Sequence, residues 1–144
     1  MLGTTPRALP PLHKDLRRLT VLTEELVRGF TRYHKYTVGT DLRQQAMKAW
    51  RMVHRAHFDQ AAQARVVEQL VWAVDDYKLS LQMAKEIKAF QNFSQFEAVA
   101  LLVVQIGKQC GGWHRQTRSR GPAAAEGAVA PGGATAGQQP GARA

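Results

Sequence analysis

Between residues 12 and 118 apolar positions return every three or four residues, and no segment sustains the alternation of a strand. A first helix is predicted from about Leu12 to Tyr33. Its face is Leu12, Leu16, Leu19, Thr23, Leu26, Val27 and Phe30, with Arg17, Arg18, Glu24, Glu25 and Arg28 mostly elsewhere. A second runs from about Val38 to Phe58 on a stripe of Leu42, Ala46, Ala49, Val53 and Ala56, with Trp50 on its flank. A third, from about Ala61 to Phe90, buries Val66, Leu70, Ala73, Val74, Tyr77, Leu81 and Ala84. The fourth opens at Ser94-Gln95-Phe96-Glu97, where Ser94 and Glu97 have capping-box spacing, and carries Val99, Val103, Ile106 and Cys110 on one face. Four amphipathic helices joined by short links predict an all-α fold, an up-down-up-down antiparallel four-helix bundle.

The last two helices have more apolar surface than one core contact uses. Trp72, Leu79 and Met83, spaced i, i+7, i+11, form a second face on the third helix, and Leu101 and Val104 do so on the fourth. Either another helix of the chain covers these faces or another subunit does, and a homo-oligomer is the expectation. Gly107 and Gly111, four apart, would let a neighbouring helix come close.

Composition changes at both ends. Residues 1–11 hold three prolines and read as a flexible lead. Residues 119–144 are almost entirely Ala, Gly, Pro, Gln, Thr and Arg, with one valine and no aromatic, and read as a disordered tail. The bundle is therefore placed at residues 12–118. Of the net charge of +9, those first 118 residues carry +8, so the basic bias belongs to the bundle and points to a polyanionic partner. A single cysteine, Cys110, leaves no disulfide framework. No signal-peptide core and no stretch approaching ~20 apolar residues is present, and the chain is expected to be cytoplasmic, with no membrane partner.

Catalytic and metal chemistry find little to build on. His54, His57 and Asp59 gather at a helix corner, and Cys110 and His114 are four apart, but zinc wants three or four ligands with supporting groups. Asp75 and Asp76 are adjacent, so on a helix they project about 100° apart and cannot work as an acid–base pair. No nucleophile motif, phosphate loop or dinucleotide glycine pattern occurs. The reading is no enzyme, no metal and no cofactor.

The basic surface remains. Lys48, Arg51 and Arg55, with Gln44, fall within roughly 60° of one another on the second helix, opposite its core stripe and with no acid among them. Arg32, Lys35 and Arg43 flank the first turn, Arg115 and Arg118 follow Trp113 on the fourth helix, and Lys78, Lys85 and Lys88 border the third. Such side chains bind phosphates without reading sequence. Tyr33, Tyr36 and Trp113 either cap the core at helix ends or, if exposed, stack on bases. Two functions fit: a nucleic-acid-binding protein acting by charge, or a structural module binding protein only, its basicity incidental.

The first turn reads Arg-Tyr-His-Lys-Tyr-Thr-Val-Gly-Thr-Asp-Leu-Arg, residues 32–43. Its centre is structural: Gly39 permits a tight turn, Thr37 or Thr40 caps the second helix, and Tyr33 and Tyr36 seal the end of the bundle. Tyr33, Tyr36, Thr37, Val38, Gly39, Leu42 and Arg43, followed later by Ile106, Gly107, Gly111, Gly112 and Trp113, form a pattern over roughly residues 12–116. This pattern resembles the four-helix-bundle family of the accessory variability determinant (Avd) of diversity-generating retroelements and of the proteins encoded in intervening sequences of 23S ribosomal RNA genes. The resemblance implies a basic, non-catalytic bundle assembling as a homopentameric barrel. In the retroelement branch it implies partnership with a reverse transcriptase and with RNA and cDNA during mutagenic cDNA synthesis. In the ribosomal-RNA branch it implies a structural interaction module without a polymerase partner.

Overall fold

The computed structural model describes residues 9–128, with side chains through residue 120. Among them are four long helices and no strand: α1 (Pro11–Arg28), α3 (Val38–Phe58), α4 (Gln63–Glu86) and α5 (Phe93–Ala128). A single-turn helix, α2 (Arg32–Lys35), sits in the first connection, and a 3-10 turn, Gln60–Ala62, leads into α4. α1 packs on α3 and α5, and α4 packs on the same two, so α1 and α4 lie diagonally across the bundle, as do α3 and α5. Adjacent helices are antiparallel. His13 at the start of α1 meets His54 near the end of α3, and Asp15 accepts a hydrogen bond from Gln109 of α5 at 2.7 Å. The fold is thus the four-helix bundle that the periodicity predicts.

The core collects the predicted faces: Leu16, Leu19, Leu26, Leu42, Val53, Leu70, Tyr77, Val99, Ile106 and Cys110 are all essentially closed to solvent. At its centre the Thr23 hydroxyl donates to the Leu19 carbonyl and receives the Tyr77 hydroxyl, both at 2.6 Å. Burial pushes the Tyr77 phenol far above its ordinary range and the Cys110 thiol up to about 12, so that thiol is inert at neutral pH. Where α1 crosses α3, the Thr20 hydroxyl donates to Leu16 O at 2.8 Å with Ala46 O at 3.3 Å. Small residues at Ala46 and Ala49 make room for that approach.

The ends of the helices differ from the sequence reading in physical detail. The first helix stops at Arg28, where the amides of Gly29 and Phe30 turn back onto Leu26 O and Val27 O; Tyr33 belongs to α2. Thr37 does not cap α3, because its hydroxyl donates backwards to Tyr33 O at 3.1 Å. Gly39 is demanded by packing, not by the turn: a Cβ there would lie 2.7 Å from Val27 Cγ1 and 3.1 Å from His34 O. The third helix ends at Glu86 in a Schellman motif, with Ala89 N–H on Ala84 O, Lys88 N–H on Lys85 O and Lys88 at φ 57°. Asn92, not Ser94, caps α5: its Oδ1 accepts from the Gln95 amide at 3.1 Å and from the Ser94 hydroxyl at 3.0 Å. α5 continues as helix to Ala128, past the boundary placed at residue 118; residues 1–8 of the lead and 129–144 of the tail lie outside the described residues. Among the described residues no helix is long and apolar enough to cross a membrane.

Candidate nucleic-acid interface

α3 turns its stripe of Leu42, Ala46, Ala49, Val53 and Ala56 inward, and helical geometry then points Lys48, Arg51 and Arg55 directly outward. All three are exposed, and among the described residues none of them has an acid within ion-pair distance. From Lys48 to Arg55 the helix rises about 10.5 Å, roughly the length of three nucleotides at ~3.4 Å per strand step. The stripe is thus a short row of uncompensated cations.

Arg43 differs from them. Its Nε donates to Glu24 Oε2 at 2.9 Å, so α1 supplies an acid that the pattern of α3 alone does not contain. The pair is half exposed and contributes little to stability, but it offsets the positive charge at that end of the row.

Two depressions adjoin the row and share Arg51. One, of about 340 Å³, is lined by Glu24, Thr40, Arg43, Gln44, Met47 and Arg51. The other, of about 590 Å³, is lined by Trp50, Arg51, His54, Arg55, Phe58 and Asp59. Asp59 Oδ1 accepts from the Ala62 amide at 3.2 Å. His54 stacks obliquely on Phe58 with ring centroids 4.7 Å apart, and on its other side its Nδ1 meets Nε2 of buried His13 at 3.1 Å. His13 in turn presents its ring edgewise to Trp50 at 6.2 Å. Burial, and then the nearness of His54, His57 and Arg17, hold the His13 pKa below its ordinary 6.5. His13 and the Trp50–His54–Phe58 shelf were not singled out as a group by the sequence. His13 falls beside the core stripe of α1, and its partners lie about forty residues away, beyond the reach of helical spacing.

The other candidate cations do not join this row. Arg32 and Lys35 lie on α2, at the end of the bundle near Arg43. Arg115 and Arg118 are exposed on α5, which stands diagonally opposite α3, so they share only the end of the bundle near Arg55. Lys78 is half buried across α5, where a Cβ on Gly107 would meet its Nζ at 2.5 Å; the glycine accommodates a lysine stem. Tyr33 and Tyr36 do not seal the bundle. They are 75% and 68% exposed, and Phe30 and Val38 close that end.

Trp72, Leu79, Met83, Leu101 and Val104 are all exposed in the single chain, so no described helix covers them. Each set lies about opposite its own helix's core face, pointing outward from adjacent corners of the bundle. The α4 stripe runs through Met83 and Ile87 into a groove of about 550 Å³ walled by Tyr33, Tyr36 and Val38. Among the described residues no three or more His, Cys, Asp or Glu side chains gather as a metal set. Comparison with protein-family models, with curated proteins and with solved structures gives no match to the chain.

Proposed function

We infer that the protein is a non-catalytic, basic accessory protein that binds nucleic acid by charge through α3, with the end cations Arg32, Lys35, Arg115 and Arg118 extending the contact. The observation that carries this reading is the row Lys48, Arg51 and Arg55, outward-facing and without acidic partners among the described residues. Three phosphates neutralised by three such side chains give a salt dependence of log affinity with slope of about −2 to −3. The motif resemblance supports a narrower role on the same surface: handling of RNA and cDNA beside a reverse transcriptase in a diversity-generating retroelement, by a homopentamer. The exposed stripes of α4 and α5 supply apolar surface for such subunit contacts.

The test is a triple Lys48→Glu, Arg51→Glu, Arg55→Glu variant titrated with single-stranded RNA and DNA over a range of salt. The reading expects the affinity to collapse and the salt slope to flatten. Unchanged affinity would place the contact elsewhere. A second reading rests on the stripes themselves: a structural module of the intervening-sequence type, whose exposed apolar surface binds protein only, which expects no salt-dependent nucleic-acid binding by the wild type. A pull-down split into nuclease-treated and untreated halves separates a retained reverse transcriptase from RNA carried without one.

A further inference from the structure

The larger of the two depressions along α3 combines features that simple phosphate binding does not use. Phosphates need only cations, yet this depression is predominantly apolar and carries three aromatic rings, those of Trp50, His54 and Phe58. Phe58 is 49% exposed, with its ring against those of His54 and His57. The ring of His54 is fixed from behind by buried His13, and Phe58 lies against it at 4.7 Å. At the rim, Arg51 and Arg55 stand one turn apart with no acid within ion-pair distance among the described residues; Asp59, which also lines the depression, accepts from the Ala62 amide through Oδ1 and keeps its charge. Partly exposed aromatic rings, His54 and Phe58 tilted 46° to one another, beside two cations match a ligand that offers an aromatic face and carries a negative charge.

We propose that this depression is a nucleobase subsite, taking one unpaired base of a single strand onto the Phe58–His54 shelf while Arg51 and Arg55 hold the adjoining phosphates. The proposal rests on the nucleic-acid reading of the α3 row and refines it. Cations alone bind single and double strands by charge, whereas a shelf for a base is usable only by a base out of its stack. Every base presents a π-face, so the subsite discriminates unpaired from paired strands and does not read sequence. Its volume of about 590 Å³ lies within the range of small-molecule clefts and leaves room for a base together with its sugar. An apolar peptide side chain would fill the shelf equally well but would bring no anion to the two guanidiniums, neither of which has an acid within ion-pair distance among the described residues, which is why the nucleotide is favoured.

The experiment compares two labelled oligonucleotides of equal length and charge, one complete and one with abasic positions, by fluorescence anisotropy at fixed salt. The wild type is expected to bind the complete strand about tenfold more tightly, the scale of one base–aromatic stack. Phe58→Ala should remove that preference while leaving the affinity for the abasic strand unchanged, and Phe58→Tyr should restore it. Equal binding of the two strands by the wild type overturns the subsite while leaving the charge-based reading intact, and this comparison needs no variant to fold. Equal losses on both strands in a folded Phe58→Ala protein also overturn it. Binding of neither strand removes the nucleic-acid reading itself, and the subsite with it.

Discussion

The Tyr77 hydroxyl donates to the Thr23 hydroxyl at 2.6 Å across the centre of the bundle, joining α1 and α4, the two helices that face each other on a diagonal. Thr23 passes its own proton to Leu19 O, so the two side chains form a directed chain with one acceptor at its end. The two single deletions are therefore unequal. Tyr77→Phe loses one hydrogen bond and is expected to cost about 1 kcal/mol. Thr23→Val leaves a phenol hydroxyl buried without an acceptor and should cost about 2–3 kcal/mol. The double variant should cost less than the sum, and urea unfolding followed by circular dichroism measures all three.

Gly39 lies where α3 presses on α1. Gly39→Ala would drive a methyl into Val27 and the His34 carbonyl, and about 1–3 kcal/mol of overpacking is expected. Gly111→Ala is the control: its nearest neighbour would be the Arg115 guanidinium at 3.7 Å, and alanine is the better helix former by up to ~1 kcal/mol. Thermal unfolding should show the two substitutions moving the midpoint in opposite directions.

His13 gives the stability a pH dependence of defined sign. Its folded pKa lies below 6.5 because it is buried, and because His54, His57 and Arg17 face it. The unfolded chain therefore takes up the proton first, and the contribution of the neutral ring is complete above about 6.5 and is lost as pH falls through the folded value. Stability should decline from pH 7 towards pH 5, and His13→Leu should flatten that decline in a denaturation series.

Charge along α3 should not act uniformly. Arg43 is already offset by Glu24, so Arg43→Ala is expected to weaken nucleic-acid binding less than Arg51→Ala. Glu24→Gln should strengthen it by freeing a guanidinium. Titrations at constant salt rank the three variants, and the opposite order would remove the ion pair from the explanation.

The α4 stripe predicts assembly. Trp72 and Leu79 are 66% and 60% exposed on the side away from the core, so Leu79→Glu or Trp72→Glu should break a subunit contact without loss of helicity. Light scattering of the wild type and of each variant checks it, and a monomeric wild type ends the proposal.

Much of the bundle was legible because α3 and the core faces follow from 3.6-residue spacing. The second helix begins and ends at Val38 and Phe58, as its pattern indicates. Termini were less legible where an end lacks its usual residue. Lys88 takes a left-handed conformation that glycine normally fills, so nothing in the sequence marks the stop of α4, and the pattern runs on through buried Ala89. Phe30 stays in phase with the face of α1 although the helix has already ended, which carried the expectation on to Tyr33. In the candidate site the row of cations could be read from one helix alone. The Glu24 partner and the His13 buttress could not, because each comes from α1 and requires the packing to be known.

The order in which the helices meet also bears on how the chain reaches this state. Of the four contacts around the bundle, α1 with α3, α3 with α4 and α4 with α5 join elements adjacent along the chain through short connections, α2 included. Only α1 with α5 must close the whole loop, where Gln109 reaches Asp15. Local encounters cost little chain entropy and the single long closure costs more, so successive hairpins should form first and the first and last helices should dock late. Such a low contact order belongs to helical bundles that fold in microseconds to milliseconds, and the seam between α1 and α5 is where such a chain would open first.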